Sequence, residues 1–212
     1  MRHRLLRGRE SDPYAYGWER DGDLRGYVVY TVSGDFDART LSVRELVSVD
    51  ADARDHLLRF LRDHDSQVTE VVFEREHEST RLIDVLPDPR AATVEIKPGA
   101  MVRIVDVPAA LEAVSLPETV SFDLAIEVTD DRCAWNDDTF RVVADAGTTT
   151  VEKTDVNPDA TIEIGALSQL LVGARSVSRV VRTDRLSVTG SDAADALDSA
   201  FTRQDVFLRE GF

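Results

Sequence analysis

The chain has 212 residues, of which 42% are hydrophobic, and its 40 acidic against 25 basic residues give a formal net charge of −15. That length and apolar content suffice for one large domain or two small ones with real hydrophobic cores. The negative charge argues against DNA or RNA as a partner, because phosphate binding requires a basic face.

Composition also restricts the compartment. Cys133 is the only cysteine, so we expect no disulfide, no thiolate cluster for zinc, and a reducing, cytoplasmic location. The N-terminus lacks the apolar core of a signal peptide, and no stretch reaches the apolar length of a membrane span. Aspartate exceeds glutamate and the only lysines are Lys97 and Lys153, a pattern typical of a halophilic protein. A merely acidic protein from low salt is the alternative.

The first hundred residues predict a hairpin, a third strand and a helix. Residues 14–19 and 24–32 are rich in aromatic and β-branched side chains and flank an Asp-Gly pair, which is a strong hairpin signal. A third strand over residues 41–49 leads directly into a helix that Asp50 caps. Tyrosines on such strands can be catalytic acids, but half-buried packing is their more common role.

The connection between the third strand and the following helix indicates whether a diphosphate can bind there. Glycine-rich loops at such joins let successive backbone N–H groups approach a pyrophosphate at the helix N-terminus. Residues 49–54 contain no glycine and two aspartates, Asp50 and Asp52. Because carboxylates repel a diphosphate, this half is predicted not to bind one.

The histidines and the acidic clusters predict no metal site. His56 and His64 lie on the predicted helix and His77 follows a strand, and no pair has the i, i+4 spacing of helical metal ligands. The turn at residues 130–138 is acidic, but it lacks the ligand spacing and central glycine of an EF-hand loop. We expect surface or capping histidines and a solvated turn.

The second half predicts a sheet covered by helices. Residues 119–129 alternate between apolar and polar side chains, and an apolar helix follows at residues 166–172. Between the halves, residues 101–105 predict a short buried strand, and Asp106 caps a helix with Pro108 in its first turn. The predicted fold class is α+β, in two domains.

Two runs of residues carry a resemblance to a known family. Residues 14–30 and residues 101–111 (Met-Val-Arg-Ile-Val-Asp-Val-Pro-Ala-Ala-Leu) resemble segments of the enhanced intracellular survival (Eis) family of acetyltransferases. The resemblance implies a degenerate GNAT-like domain with a mixed sheet and helices at residues 1–98. It implies a sterol-carrier-protein-like domain, a sheet covered by helices, at residues 99–212. It also implies that the family's first GNAT domain, which binds acetyl-CoA, is missing from this chain.

The function implied by the resemblance is acetyl transfer from acetyl-CoA, the co-substrate of the full-length family, to a primary amine, which can be cationic. This chain would hold no cofactor and would supply walls of the amine pocket and contacts of a homo-oligomer. The carboxylate of the C-terminal Phe212 would be the general base. The thioester site and the general acid would come from the missing N-terminal GNAT domain, so the isolated chain is expected to be inactive.

A function from another class stays open. The chain could be a non-catalytic, sterol-carrier-like module that holds a lipid-like or other apolar ligand inside its second domain. The C-terminal residues 207–212 would then be a tail packed on its own domain. Neither interpretation requires nucleic acid or a membrane as a partner.

Overall fold

The chain folds into two compact units, residues 1–80 and residues 81–212. The structure is a computed structural model. It describes residues 12–35, 37–77, 80 and 82–208. Each unit has its own sheet and its own helices, so the predicted α+β class is confirmed.

Within its described residues, the first unit is a four-stranded sheet with one helix. Its strands are ordered β1-β2-β3-β4 and are antiparallel except for the parallel pair β3–β4. Asp21 and Gly22 have positive φ angles of 55° and 90° and turn the β1–β2 hairpin, as the Asp-Gly pair predicted. The elements are β1 (Tyr14–Arg20), β2 (Asp23–Ser33), β3 (Thr40–Ser48), α1 (Ala51–Arg62) and β4 (Glu70–Phe73).

Helix α1 begins at a side-chain cap and packs through an apolar stripe. Asp50 Oδ1 accepts a hydrogen bond from Ala53 N–H at 2.8 Å, which satisfies one of the free donors of the first turn. Gly26 on β2 allows the helix to come close, because a Cβ there would lie 2.8 Å from Val47 O and 3.1 Å from Leu57 Cδ1. The buried residues of this core are Val28, Tyr30, Leu41, Val43, Leu57 and Leu61.

The second unit is a five-stranded sheet covered by four helices. The strand order is β7-β6-β5-β8-β9, with β5–β8 parallel and the other pairs antiparallel. The predicted alternation is confirmed in β5, where Leu124, Ile126 and Val128 are buried in one core with residues of every helix. The strands are β5 (Phe122–Thr129), β6 (Asp138–Asp145), β7 (Thr148–Lys153), β8 (Ala160–Glu163) and β9 (Leu186–Val188). The helices are α2 (Val107–Glu112), α3 (Ile164–Leu171), α4 (Val177–Val181) and α5 (Ser191–Ala200).

The segment before α2 differs from its prediction. Residues 92–106, all of which the structure describes, contain no strand, although a strand was predicted at 101–105. Ile96 is 80% exposed and Met101 is 97% exposed. Strand propensity reflects packing on a sheet, and no neighbouring strand is hydrogen-bonded to this apolar run. The predicted domain boundary between residues 98 and 99 lies inside this segment and stays a prediction.

One buried carboxylate organises the acidic turn after β5. The side chain of Asp130 has no exposed surface, and it forms an ion pair with Arg103 from the segment before α2. Its oxygens also accept hydrogen bonds from Arg132 N–H at 2.9 Å, Cys133 N–H at 3.1 Å and Asn136 Nδ2 at 3.2 Å. Burial by itself would raise the pKa of Asp130, but these donors outweigh it and lower the pKa to about 2.

The same turn holds the backbone at the start of α2. Asn136, which is fully buried, accepts a hydrogen bond from Val107 N–H at 3.1 Å through Oδ1. Trp135 Nε1 donates to Val105 O at 2.8 Å. Ile104 N–H donates to Ser168 Oγ on α3 at 3.0 Å. Side chains of the second unit therefore satisfy backbone groups that a strand partner would otherwise satisfy.

Gly26→Ala should lower the free energy of unfolding by about 1–3 kcal/mol, because the added methyl group presses on the β3 backbone and on Leu57. Gly99→Ala is the matched control, since a Cβ there meets nothing within 4 Å, and it should change stability by less than about 0.5 kcal/mol. Urea unfolding followed by circular dichroism measures both variants. Equal stability of the two would contradict the close approach of α1 to β2.

Asp130→Asn should lower the free energy of unfolding at neutral pH by about 2 kcal/mol, because charge-assisted hydrogen bonds are lost in a buried place. The pKa of Asp130 is lower in the folded chain, so its stabilisation is present above pH of about 4 and is lost as pH falls towards about 2. The variant and the parent should therefore converge in acid. Trp135 fluorescence in a Trp18→Phe background measures this, with Asp131→Asn as the exposed control; a pH-independent difference would refute the linkage.

Candidate functional site

A strand–helix–strand unit in the first unit has the geometry of a ligand-binding crossover. β3 and β4 pair in parallel from Thr40 with Glu70 to Val43 with Phe73, and α1 connects them. β3 continues to Ser48 beyond its last pairing with β4. In open sheets of this kind, ligands bind outside the carboxyl ends of parallel strands, next to the N-terminus of the following helix.

Carboxylates occupy that helix N-terminus. Asp50 Oδ1 accepts Ala53 N–H, and Asp50 Oδ2 forms an ion pair with Arg25. Asp52 lies 3.0 Å from Arg20 Nη1. The N–H of Ala53 and the guanidinium of Arg25 lower the pKa of Asp50, so the carboxylate stays charged near neutral pH. The cations and the amide that would bind a diphosphate therefore bind the protein's own carboxylates.

An aromatic ladder joins β1 to α1. The ring centroids are 3.8 Å apart in the stacked pair Tyr16–Phe60 and 4.3 Å apart in the stacked pair Trp18–His56. Tyr14 stacks on Tyr30 at 5.4 Å. The spacing of two residues on the strand matches the spacing of four on the helix, so the ladder is a packing device.

Tyr14, Tyr16, Tyr30 and His56 belong to this ladder, and His64 lies just after the end of α1. Tyr30 is buried, and burial followed by the charge of Tyr14 raises its pKa, which makes it a weaker acid. His56 Nδ1 and His64 Nδ1 lie 2.8 Å and 2.9 Å from backbone carbonyl oxygens of α1. Among the residues that the structure describes, no group of three His, Cys, Asp or Glu side chains is arranged to hold a metal ion.

One small cavity lies among the described apolar residues of the second unit. This cavity of about 10 Å³ lies between α2, α5 and the sheet, which is close to the space that one water molecule requires. Thr149 Oγ1 is buried at its wall without a hydrogen-bond partner. A lipid-like ligand would need a far larger volume. The lining residues are Leu111, Val114, Leu116, Phe122, Val142, Thr149, Ala200 and Phe201.

The predicted catalytic carboxylate lies outside the described residues. Phe212 and the three residues before it are among those that the structure does not describe. Phe207, the aromatic residue that precedes them, is 40% exposed. Within the described part of the chain, no helix has both the length and the apolar character needed to cross a membrane.

Two polar groups of interest carried no signal in the sequence. Asp130 looked like one of several aspartates in a solvated turn, yet it is the buried partner of Arg103. Glu45 looked like an ordinary polar residue in a strand, yet its Oε2 is buried without a hydrogen-bond donor. Only the tertiary contacts of the two residues reveal these properties.

Two protein-family models match the chain and divide it between them. The family described as acetyltransferase (GNAT) domain matches residues 1–104, and the family described as sterol carrier protein domain matches residues 107–209. The prediction that the acetyl-CoA-binding GNAT domain is missing from this chain is therefore not supported, since a GNAT domain is present at residues 1–104.

The curated relatives that match this chain are N-acetyltransferases. The N-acetyltransferase Eis of Mycobacterium tuberculosis is 31% identical over 189 residues, which are 88% of this chain and 44% of the relative. An uncharacterized N-acetyltransferase of Streptomyces avermitilis is 28% identical over 87% of this chain and 45% of its own length. The chain thus spans less than half the length of these relatives.

Solved structures agree with the fold. Eis1 from Mycobacterium abscessus superimposes with a TM-score of 0.69 and 27% identity, over 96% of this chain and 51% of that one. A GCN5-related N-acetyltransferase from Anabaena variabilis gives a TM-score of 0.77 over 99% of this chain and 53% of that one, and at 24% identity it supports the fold alone. The chain thus matches a GNAT acetyltransferase domain followed by a sterol carrier protein domain, and over nearly its whole length it is similar to the Eis N-acetyltransferases.

Proposed function

We propose that this protein takes part in acetyl transfer from acetyl-CoA to a primary amine. The observation that carries the proposal is the GNAT match at residues 1–104, which includes the parallel unit β3–α1–β4. In this reaction the amine nitrogen attacks the thioester carbonyl, the carbon–sulfur bond breaks, and the coenzyme A thiol leaves. The net charge of −15 favours the approach of a cationic amine. The acidic, lysine-poor composition is also typical of halophilic proteins, and adaptation to high salt stays a prediction.

The proposed role of this chain is on the amine side of the reaction. The amine reaches the protein as an ammonium ion, so a base must remove a proton before attack. The family resemblance assigns this step to the C-terminal carboxylate, here that of Phe212. An α-carboxyl titrates at about 3.3–3.7 in water, and an apolar surrounding raises that value towards a useful range. The pocket walls and the contacts of a homo-oligomer are further parts of the proposal.

The diphosphate of acetyl-CoA is proposed to bind elsewhere than the N-terminus of α1. Asp50 and Asp52 already use the local donors Arg25, Arg20 and Ala53 N–H. Each carboxylate would also repel a diphosphate at close range. The first unit therefore keeps the crossover geometry of a GNAT unit without an anion site at this helix.

Removal of Phe212, or a tag appended after it, should lower the turnover number at least about a hundredfold, as expected for loss of a general base. Release of the coenzyme A thiol, with putrescine as the trial amine, measures the rate. The control is Phe212→Leu, which keeps the terminal carboxylate and an apolar side chain and should retain most activity. Full activity of the tagged protein would remove the base assignment, whereas no activity in any form with any primary amine would remove the proposed function.

Removing the two carboxylates at the N-terminus of α1 should strengthen the binding of acetyl-CoA in a calorimetric titration. The double variant Asp50→Ser/Asp52→Ser keeps a capping oxygen and frees Arg20 and Arg25, so it should bind diphosphate better than the parent does. Asp55→Ser/Asp63→Ser, with both positions exposed, is the control for net charge. Equal dissociation constants for acetyl-CoA in the parent and in the Asp50/Asp52 variant would contradict the prediction.

A further inference from the structure

β3 contains a bulge that changes which side chains share a face of the first unit's sheet. Val29 on β2 pairs with Glu45, but the next residue, Tyr30, pairs with Val43, so Arg44 is an extra residue on β3. Such an insertion places two consecutive residues on one face and shifts the alternation beyond it.

The packing pattern agrees with this shift. Leu41 and Val43 lie in the core under α1, and so does Leu46 rather than Glu45. Arg44 and Glu45 therefore both belong to the face opposite α1. Bulges are over-represented next to functional sites because they re-aim a side chain in this way.

The carboxylate of Glu45 is incompletely satisfied. Its Oε2 is buried, and no donor of the described residues, including Arg44, makes a hydrogen bond to it. Val29, directly across the sheet, is only 5% exposed, and Thr31 further along β2 is 6% exposed. Glu45 as a whole is only partly buried, so the remainder of the residue reaches the surface.

An unpaired carboxylate oxygen in such surroundings is costly, because water is withdrawn and no donor replaces it. Native proteins pair nearly all buried polar atoms, so an exception calls for a donor from a water molecule or a ligand. An anion is excluded by charge. A primary ammonium group fits, since it brings a positive charge and three donors in a compact head.

We propose that Glu45 forms a cation site, in which its carboxylate binds an ammonium group of an amine on the sheet face opposite α1. The inference rests on the proposed function for the identity of the amine, and it adds a positioning residue that holds a charged group of the substrate.

The test is equilibrium binding in the absence of acetyl-CoA, at fixed ionic strength. Putrescine, a four-carbon diamine, should give saturable heat with the parent chain, whereas the neutral diol of the same length should give none. Glu45→Gln keeps the shape and removes the charge, and it should weaken putrescine binding at least about tenfold. Glu70→Gln removes the same charge from an exposed position of the same sheet and should leave the dissociation constant within about twofold.

The outcomes separate this site from the proposed function. Equal weakening by Glu45→Gln and Glu70→Gln, or equal binding of diamine and diol, would overturn the site, as would absence of putrescine binding to the parent. If the chain binds putrescine through Glu45 but transfers no acetyl group, the cation site is supported and the proposed function is contradicted. If Glu45→Gln acetylates putrescine with an unchanged KM, the proposed function is supported and the cation site is contradicted. Circular dichroism melting checks that both variants are folded.

Discussion

The ion pair between Arg103 and the buried Asp130 connects the exposed segment before α2 to the body of the second unit. A carboxylate with no exposed surface is tolerable only when donors surround it, and the acidic turn supplies backbone and amide donors around the same oxygens. Through Asn136, the turn also accepts the N–H of Val107 at the start of α2. The entry of the chain into the sterol carrier protein domain thus depends on one desolvated charge rather than on a strand pairing.

Charge also decides what the first unit can do. A parallel strand–helix–strand crossover ordinarily leaves a helix N-terminus ready for an anion. Here Asp50 caps the helix, and Arg20 and Arg25 are paired with Asp52 and Asp50. The same helix dipole that would attract a phosphate instead stabilises two carboxylates, so the GNAT geometry is kept while its anion site is filled from within.

Predictions from the sequence were confirmed where they depended only on neighbouring residues. The Asp-Gly hairpin, the Asp50 cap and the alternation in β5 were all predicted, because turn type, capping and a one-sided sheet depend on residues within a few positions of one another. The prediction of a buried strand at residues 101–105 was wrong, because a strand depends on residues that are distant in sequence. Its apolar composition was right for a strand, but hydrogen bonding requires a partner strand, and side chains of the turn and of α3 satisfy the backbone instead.

The sequence by itself determined the α+β class, the absence of a glycine-rich diphosphate loop at residues 49–54 and the resemblance to the Eis family. Each of these can be recognised from residues that are close together in the sequence. Tertiary structure alone decided which aspartate is buried, where β3 bulges and that Glu45 Oε2 lacks a donor. Those properties belong to pairs of residues that are distant in sequence, such as Asp130 with Arg103 or Glu45 with Val29. Burial and hydrogen bonding are fixed by what lies across space, and no pattern along a single strand contains that information.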